Sequence, residues 1–216
     1  IVAAAMLATP GCAEILVVGA REFASVCRDG SMLTTTFDDN AKATAQKKTA
    51  KPFFDVEKDP VFGVPAMFGK EAYFVSYHGM VHPMDLSTSP ATPGEAWPLL
   101  TQSETKAGWR PGGWQPIWGY AKDGLLYVLM HQGGREWSHK DPGSEVWVYS
   151  VRGHKRVDHI PLPQEANSIL VSQDADPILF ALSTQPAMMQ AFSARKGKYL
   201  GAIKGLAGSP FELFGL

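Results

Sequence analysis

The chain has 216 residues, 45% hydrophobic, 11% aromatic and 19% charged, a balance that excludes an intrinsically disordered chain. Twenty Lys and Arg against 21 Asp and Glu leave a formal net charge of -1, so there is no basic footprint for nucleic acid and no polybasic membrane patch. No apolar run reaches the roughly 18 residues of a membrane-spanning helix, and 21 Gly with 16 Pro fit many short, turn-bounded segments better than a helix bundle.

In chain order, the sequence opens at Ile1, which reads as a processed end or as part of a longer chain, in the last strand of a preceding repeat. Residues 1–8 (IVAAAMLA) have the apolar character of a signal-peptide core, and Thr9-Pro10-Gly11-Cys12 has the outline of a lipoprotein site. Thr9 stands where an aliphatic residue is wanted and Pro10 opposes the extended peptide a peptidase binds, so a break inside a domain fits better. Residues 15–18 and 23–26 are strand-like on either side of a turn at 19–22. Folded about that turn, Cys12 faces Cys27 at a separation a disulfide tolerates, which favours a bridge and an oxidising compartment over two buried free thiols.

A longer period follows. Apolar segments open at Phe23, Ala72, Leu125 and Ile178, about fifty residues apart, each behind a turn signal. A second strand is predicted after each, over 32–37, 80–86, 145–151 and 188–194. Further strands are predicted over 157–160 and 199–203, and ahead of the last two units over 114–120 and 167–172. Four antiparallel strands per repeat of this length predict an all-β fold, a β-propeller of about four blades, with a β-sandwich as the alternative. Residues 87–113 break the period, and Thr101-Gln102-Ser103-Glu104 within them predicts a capped short helix ending near Gly108. Residues 132–143 form a second insertion.

The search for catalytic machinery is mostly negative. There is no phosphate loop, His-Glu-x-x-His, Cys-x-x-Cys or Gly-x-Ser-x-Gly, and Ser103-x-x-Lys106 stands without supporting motifs. His78 and His82 lack the carboxylate or Cys neighbours of a metal site. His139-Lys140-Asp141 offers an acid-base reading, against which stands a solvated loop. Trp114, Trp118 and Trp147 fall on predicted strands as inter-blade packing. Trp109 and Trp137 fall in the insertions, either as a partner surface shared with Arg110 or as local cover.

The segment Gly108-Trp109-Arg110-Pro111-Gly112-Gly113-Trp114-Gln115, with 9–12 (TPGC), 27–31 (CRDGS), 136–140 (EWSHK), 168–174 (SILVSQD) and 181–184 (ALST), resembles the heavy subunit of the bacterial quinoprotein amine dehydrogenases, the methylamine and aromatic amine dehydrogenase family. The resemblance implies a seven-bladed propeller. Residues 1–216 would be a partial propeller domain, its C-terminal four blades or so, with 209–216 supplying the strand that closes the ring. It also implies pairing of Cys12 with Cys27 and a periplasmic location. The enzyme would have two heavy and two light subunits and would convert a primary amine to aldehyde and ammonia. The resemblance places the cofactor, tryptophan tryptophylquinone, and the catalytic Asp on the light subunit, and passes the electrons to a copper protein, a cupredoxin. No catalytic residue, metal or cofactor is implied for this chain, since the quinone belongs to a Cys-rich small subunit and not to Trp109 and Trp114 here. Arg28 matches a position near the copper-protein surface, whereas Gly11 stands where relatives often carry an acid. The alternative is a stand-alone propeller that binds a partner without catalysis; a hydrolase using the His139 loop is the remaining reading.

Overall fold

A computed structural model describes residues 7–206 and 208–215; the segment 1–6, where most of the signal-like stretch falls, and Leu216 lie outside the described residues. The described chain forms four antiparallel sheets in sequence order, each built from strands consecutive in the chain. The first sheet is β1 (Cys12–Gly19), β2 (Glu22–Cys27), β3 (Met32–Phe37) and β4 (Ala43–Lys48). The second is β5 (Ala66–Phe68), β6 (Glu71–Val75), β7 (Met80–Asp85) and β8 (Thr92–Pro93), with β9 (Trp97–Pro98) also on β7. After helix α1 (Gln102–Lys106), β10 (Arg110–Pro111) and β11 (Ile117–Tyr120) share one edge of β12 (Leu125–His131), followed by β13 (Gly143–Ser150) and β14 (Lys155–Ala166). The fourth sheet is β15 (Ser168–Val171), β16 (Ile178–Ser183), β17 (Met188–Ser193) and β18 (Tyr199–Lys204).

The four apolar segments that mark the period are therefore β2, β6, β12 and β16, the second strand of every sheet. This strand is flanked on both edges in every sheet, and in β6 and β12 neighbouring sheets also cover both faces, which is why these two read as continuous apolar runs. Along β12 the period of two splits the run. Leu126, Val128 and Met130 pack toward the second sheet with Tyr73, Val75 and Val81. Tyr127 and Leu129 pack toward the fourth with Ile169, Leu179 and Phe192. A third seam joins Ala24 and Met32 to Ala72, Phe74 and Met84. Side-chain hydrogen bonds tie the seams: Tyr120 Oη donates to the Asp174 carbonyl at 2.9 Å, and the Ala91 N–H donates to Thr34 Oγ1 at 3.2 Å.

Several expected boundaries move. The strand expected over 114–120 begins at Ile117, because Gly112 and Gly113 turn the backbone sharply first. A Cβ on Gly113 would lie 2.3 Å from the Asn167 carbonyl oxygen, and its φ of +123° suits only glycine. Trp114 is consequently exposed, not inter-blade packing; it meets Phe211 edge-on, with Lys140 Nζ above its ring at 4.8 Å. The outer strands of the second sheet, β8 and β9, lie inside the stretch expected to be irregular. Residues 209–215, expected as a ring-closing strand, join no sheet, and among the described residues no strand pairing links the first sheet to the fourth.

Two local expectations rest on named contacts. In the β1–β2 pair Cys12 is the register partner of Cys27, and the two are disulfide-bonded with their Cα atoms 3.8 Å apart. The Thr101 side chain accepts from the Glu104 N–H at 3.3 Å while Glu104 Oε2 accepts from the Thr101 N–H at 2.8 Å, a complete capping box, and α1 stops at an Ala107 cap. Glu104 also pairs with Arg156 at 2.7 Å, anchoring α1 to the third sheet.

Replacing Leu129, fully buried in the seam between the third and fourth sheets, by Ala should cost about 2–5 kcal/mol in urea denaturation. Removing the bridge with Cys12→Ala and Cys27→Ala should cost about 3 kcal/mol in the same assay, from the loop closed over a separation of 15 residues. Burial holds the imidazoles of His82 and His131 below their ordinary pKa of 6.5. The unfolded chain then takes up protons before the folded one, so stability is full above about pH 6.5 and falls as pH drops below it. Calorimetry from pH 8 to pH 5 should show this fall, and His131→Gln should flatten part of it.

Candidate functional site

In each sheet the turn from second to third strand and the connection to the next sheet emerge at the same end, because the strands simply alternate up and down. Both insertions fall on those connections, so they meet at that end. The sequence Gly108–Gly113 welds them together. The Gly108 carbonyl accepts the Gly134 N–H at 2.7 Å, and the Gly113 N–H donates to the His139 carbonyl at 3.0 Å. Arg110 Nη1 donates to the Arg135 carbonyl at 3.0 Å, and Gln132 Nε2 donates to the Ala107 carbonyl at 3.2 Å. Gly112 and Gly134 keep the strands this close: a Cβ on Gly112 would strike His131, and one on Gly134 would strike the Arg110 stem.

A cleft of about 320 Å³ opens where the platform meets the second sheet. Tyr77 and His139 form its aromatic wall, stacked with ring centroids 4.0 Å apart and an interplanar angle of 6°. Arg110, Arg135 and Glu136 line it alongside Trp137, which is 78% exposed and held in a left-handed conformation at φ +67°. Arg135 is paired with Asp141 at 2.5 Å. Burial, reinforced by Lys140, keeps the His139 imidazole below its ordinary pKa, so near neutral pH it acts as an uncharged aromatic plate. His78 sits at the rim, its N–H donating to Asp59 Oδ1 at 2.8 Å.

Of the residues read from the sequence as a partner surface, Arg110 and Trp137 share this cleft. Trp109 instead folds back over the third sheet, 4.9 Å from the buried Trp147, which Arg156 covers from 4.1 Å. Arg28 lies on the neighbouring depression with Asp29 and residues 52–57, across Glu57 from the cleft. Its N–H donates to the Gly11 carbonyl at 2.8 Å, so it is fixed beside the disulfide. Tyr77 was not singled out by sequence; its signal was only a position in a short turn before Gly79.

Around His139 the neighbouring polar groups are engaged elsewhere. Ser138 Oγ, the hydroxyl next to His139, donates to the Arg135 carbonyl at 2.8 Å, and His139 Nδ1 has no hydrogen-bond partner, so no relay links them. Ser103 pairs with Thr101 on the exposed helix. Among the described residues no group of three or more His, Cys, Asp or Glu is placed to hold a metal ion, and no helix is long and apolar enough to cross a membrane.

Comparison with known proteins places this architecture. The profile of the methylamine dehydrogenase heavy chain (MADH) family matches residues 2–213. The methylamine dehydrogenase heavy chain of Methylophilus methylotrophus is 33% identical over 95% of this chain and 50% of its own length. Those of Paracoccus versutus and Methylorubrum extorquens are 32% and 30% identical over 95% of this chain, covering 47% and 50% of the relatives. The chain thus spans about half the length of the curated relatives it matches. On this match the chain belongs to the methylamine dehydrogenase heavy chain family.

Proposed function

We propose that this chain is part of the cofactor-free heavy subunit of a quinone-dependent amine dehydrogenase, and that the platform of the two insertions receives the light subunit. The observation that carries the reading is the rigid, exposed Trp137 and Arg110 surface, on a chain of this family. Aromatic and Arg side chains on a rigid support are the usual anchors of a protein interface. The enzyme would deaminate a primary amine oxidatively to aldehyde and ammonia. Tryptophan tryptophylquinone, on the light subunit, would supply the redox chemistry when present.

This chain's own tryptophans do not fit that group. Trp109 pairs with Trp147, which is 3% exposed and donates its Nε1–H to Glu145, out of reach of any substrate. Trp114 and Trp137 are exposed but engage Phe211 and His139 respectively. The role left to this chain is to bind and orient its partner. The disulfide supports an oxidising compartment, here the periplasm. In the same reading Arg28 borders the site of a cupredoxin acceptor, and the assembly holds two heavy and two light subunits. The four sheets would be consecutive blades of a seven-bladed ring, residues 1–216 forming its partial propeller domain. Ile15 and Val17, exposed on the face of β1 turned away from the second sheet, support a further blade there.

The holoenzyme, purified with whatever co-elutes, should carry a small second chain and a visible quinone band bleached by methylamine. Trp137→Ala should weaken the association of the two chains about 30-fold, the scale of a central aromatic anchor worth about 2 kcal/mol. A colourless preparation without a second chain, indifferent to amines, would leave a propeller that binds without catalysis.

A further inference from the structure

Trp137 is held against two forces at once. Its ring is 78% exposed, although burying a side chain of that size is favourable. Its backbone is left-handed, at φ +67° and ψ +6°, a conformation that a bulky L-residue rarely adopts and glycine adopts freely. An aromatic surface is within reach. The Trp137 ring centroid lies 6.5 Å from that of His139, whose other ring neighbours are Tyr77 and Phe62. The loop must therefore supply what keeps the ring outside.

That supply comes from Ser138. Next to an exposed residue, Ser138 is itself 1% exposed. Its Oγ accepts the Arg135 N–H at 3.1 Å and donates to the Arg135 carbonyl at 2.8 Å. Its own N–H donates to the same carbonyl at 3.2 Å. These bonds close the span from Arg135 to Ser138, and both ends are fixed from outside it. Arg110 Nη1 donates to the Arg135 carbonyl at 3.0 Å, and the Arg135 side chain pairs with Asp141. The Ser138 carbonyl accepts the Asp141 N–H at 3.0 Å. Only Glu136 and Trp137 lie between those ends, and the turn is completed with Trp137 left-handed. Backbone strain of this kind persists only where the surrounding bonds over-determine it. Removing the Ser138 hydroxyl deletes both bonds made by Oγ and leaves the closure to the backbone alone.

We propose, on the reading that the platform receives the light subunit, that Ser138 is the positioning residue of that interface. Its hydroxyl holds Trp137 strained in the free chain, so the ring meets its partner already ordered. Position 137 is then one where the best residue for folding, glycine, is not the best residue for docking.

The test is a pair of double-mutant cycles. Holoenzymes purified with each variant are diluted stepwise and weighed by mass photometry, which gives the dissociation constant between heavy and light chains. Ser138→Ala should weaken association about tenfold, the scale of one side chain losing its preorganisation, and should have no effect in a Trp137→Ala background. In thermal unfolding of the full heavy chain without its partner, Trp137→Gly should melt about 2–4 °C above Trp137→Ala. Adding Ser138→Ala should shrink that gap below about 1 °C, because the strain is then released in both. Unchanged association in Ser138→Ala, an equal loss with and without Trp137, Trp137→Gly no more stable than Trp137→Ala, or a gap that survives Ser138→Ala would each overturn the role of Ser138 while leaving the docking surface standing. Trp137→Ala that holds the light chain as tightly as the unaltered chain, or a preparation with no light chain, would instead end the docking reading and this role with it.

Discussion

Burial of both faces of β12 is the constraint on which the remaining architecture depends. A strand whose odd and even side chains are all apolar cannot rest against solvent on either side. The second and fourth sheets must both be present, each supplying one apolar seam. With each large side chain worth roughly 1.5–3 kcal/mol on burial, the two seams together dominate any single polar contact in the molecule. The same logic leaves the outer strands β4, β14 and β18 largely polar or exposed, because nothing among the described residues covers them.

Stacking the sheets in sequence order brings all turns of one kind to one end, and the platform follows from that. The second insertion is far along the chain from the second sheet, yet Tyr77 stacks on His139 because both leave their sheets at this end. Rigidity comes from backbone hydrogen bonds between the insertions, permitted by glycines where side chains would collide. Trp137 is therefore held exposed on a fixed support. The chain belongs to a heavy-chain family, and His139 Nδ1 has no hydrogen-bond partner.

Gly113 links the platform to the inner edge of the fourth sheet. Its close approach to Asn167 aligns Gln115 beside Ser168, and Gln115 in turn reaches the backbone of Leu213, 98 residues away. One short stretch, Gly108–Gln115 in sequence, thus shapes both the cleft and the segment that Gln115 holds behind it.

What the sequence determined by itself was what short-range chemistry decides. The second strand of every sheet, the Cys12–Cys27 register and the Thr101 capping box each depend on residues within one hairpin or one turn, where alternation, turn residues and capping leave a local signature. The family was legible too, because its motifs are short and follow one another in order. The roles of the tryptophans were decided only by tertiary structure. Trp109 and Trp114 each follow a glycine and Trp137 lies two residues after Arg135, and none of these flanks reveals what the ring will meet. Trp109 is covered because Trp147 lies beneath it, Trp114 is turned outward because Gly113 must pass Asn167, and Trp137 is exposed because His139 anchors its loop instead. Each outcome depends on a partner from another strand or sheet, and the energy of such a contact has no trace in the residue's own neighbourhood.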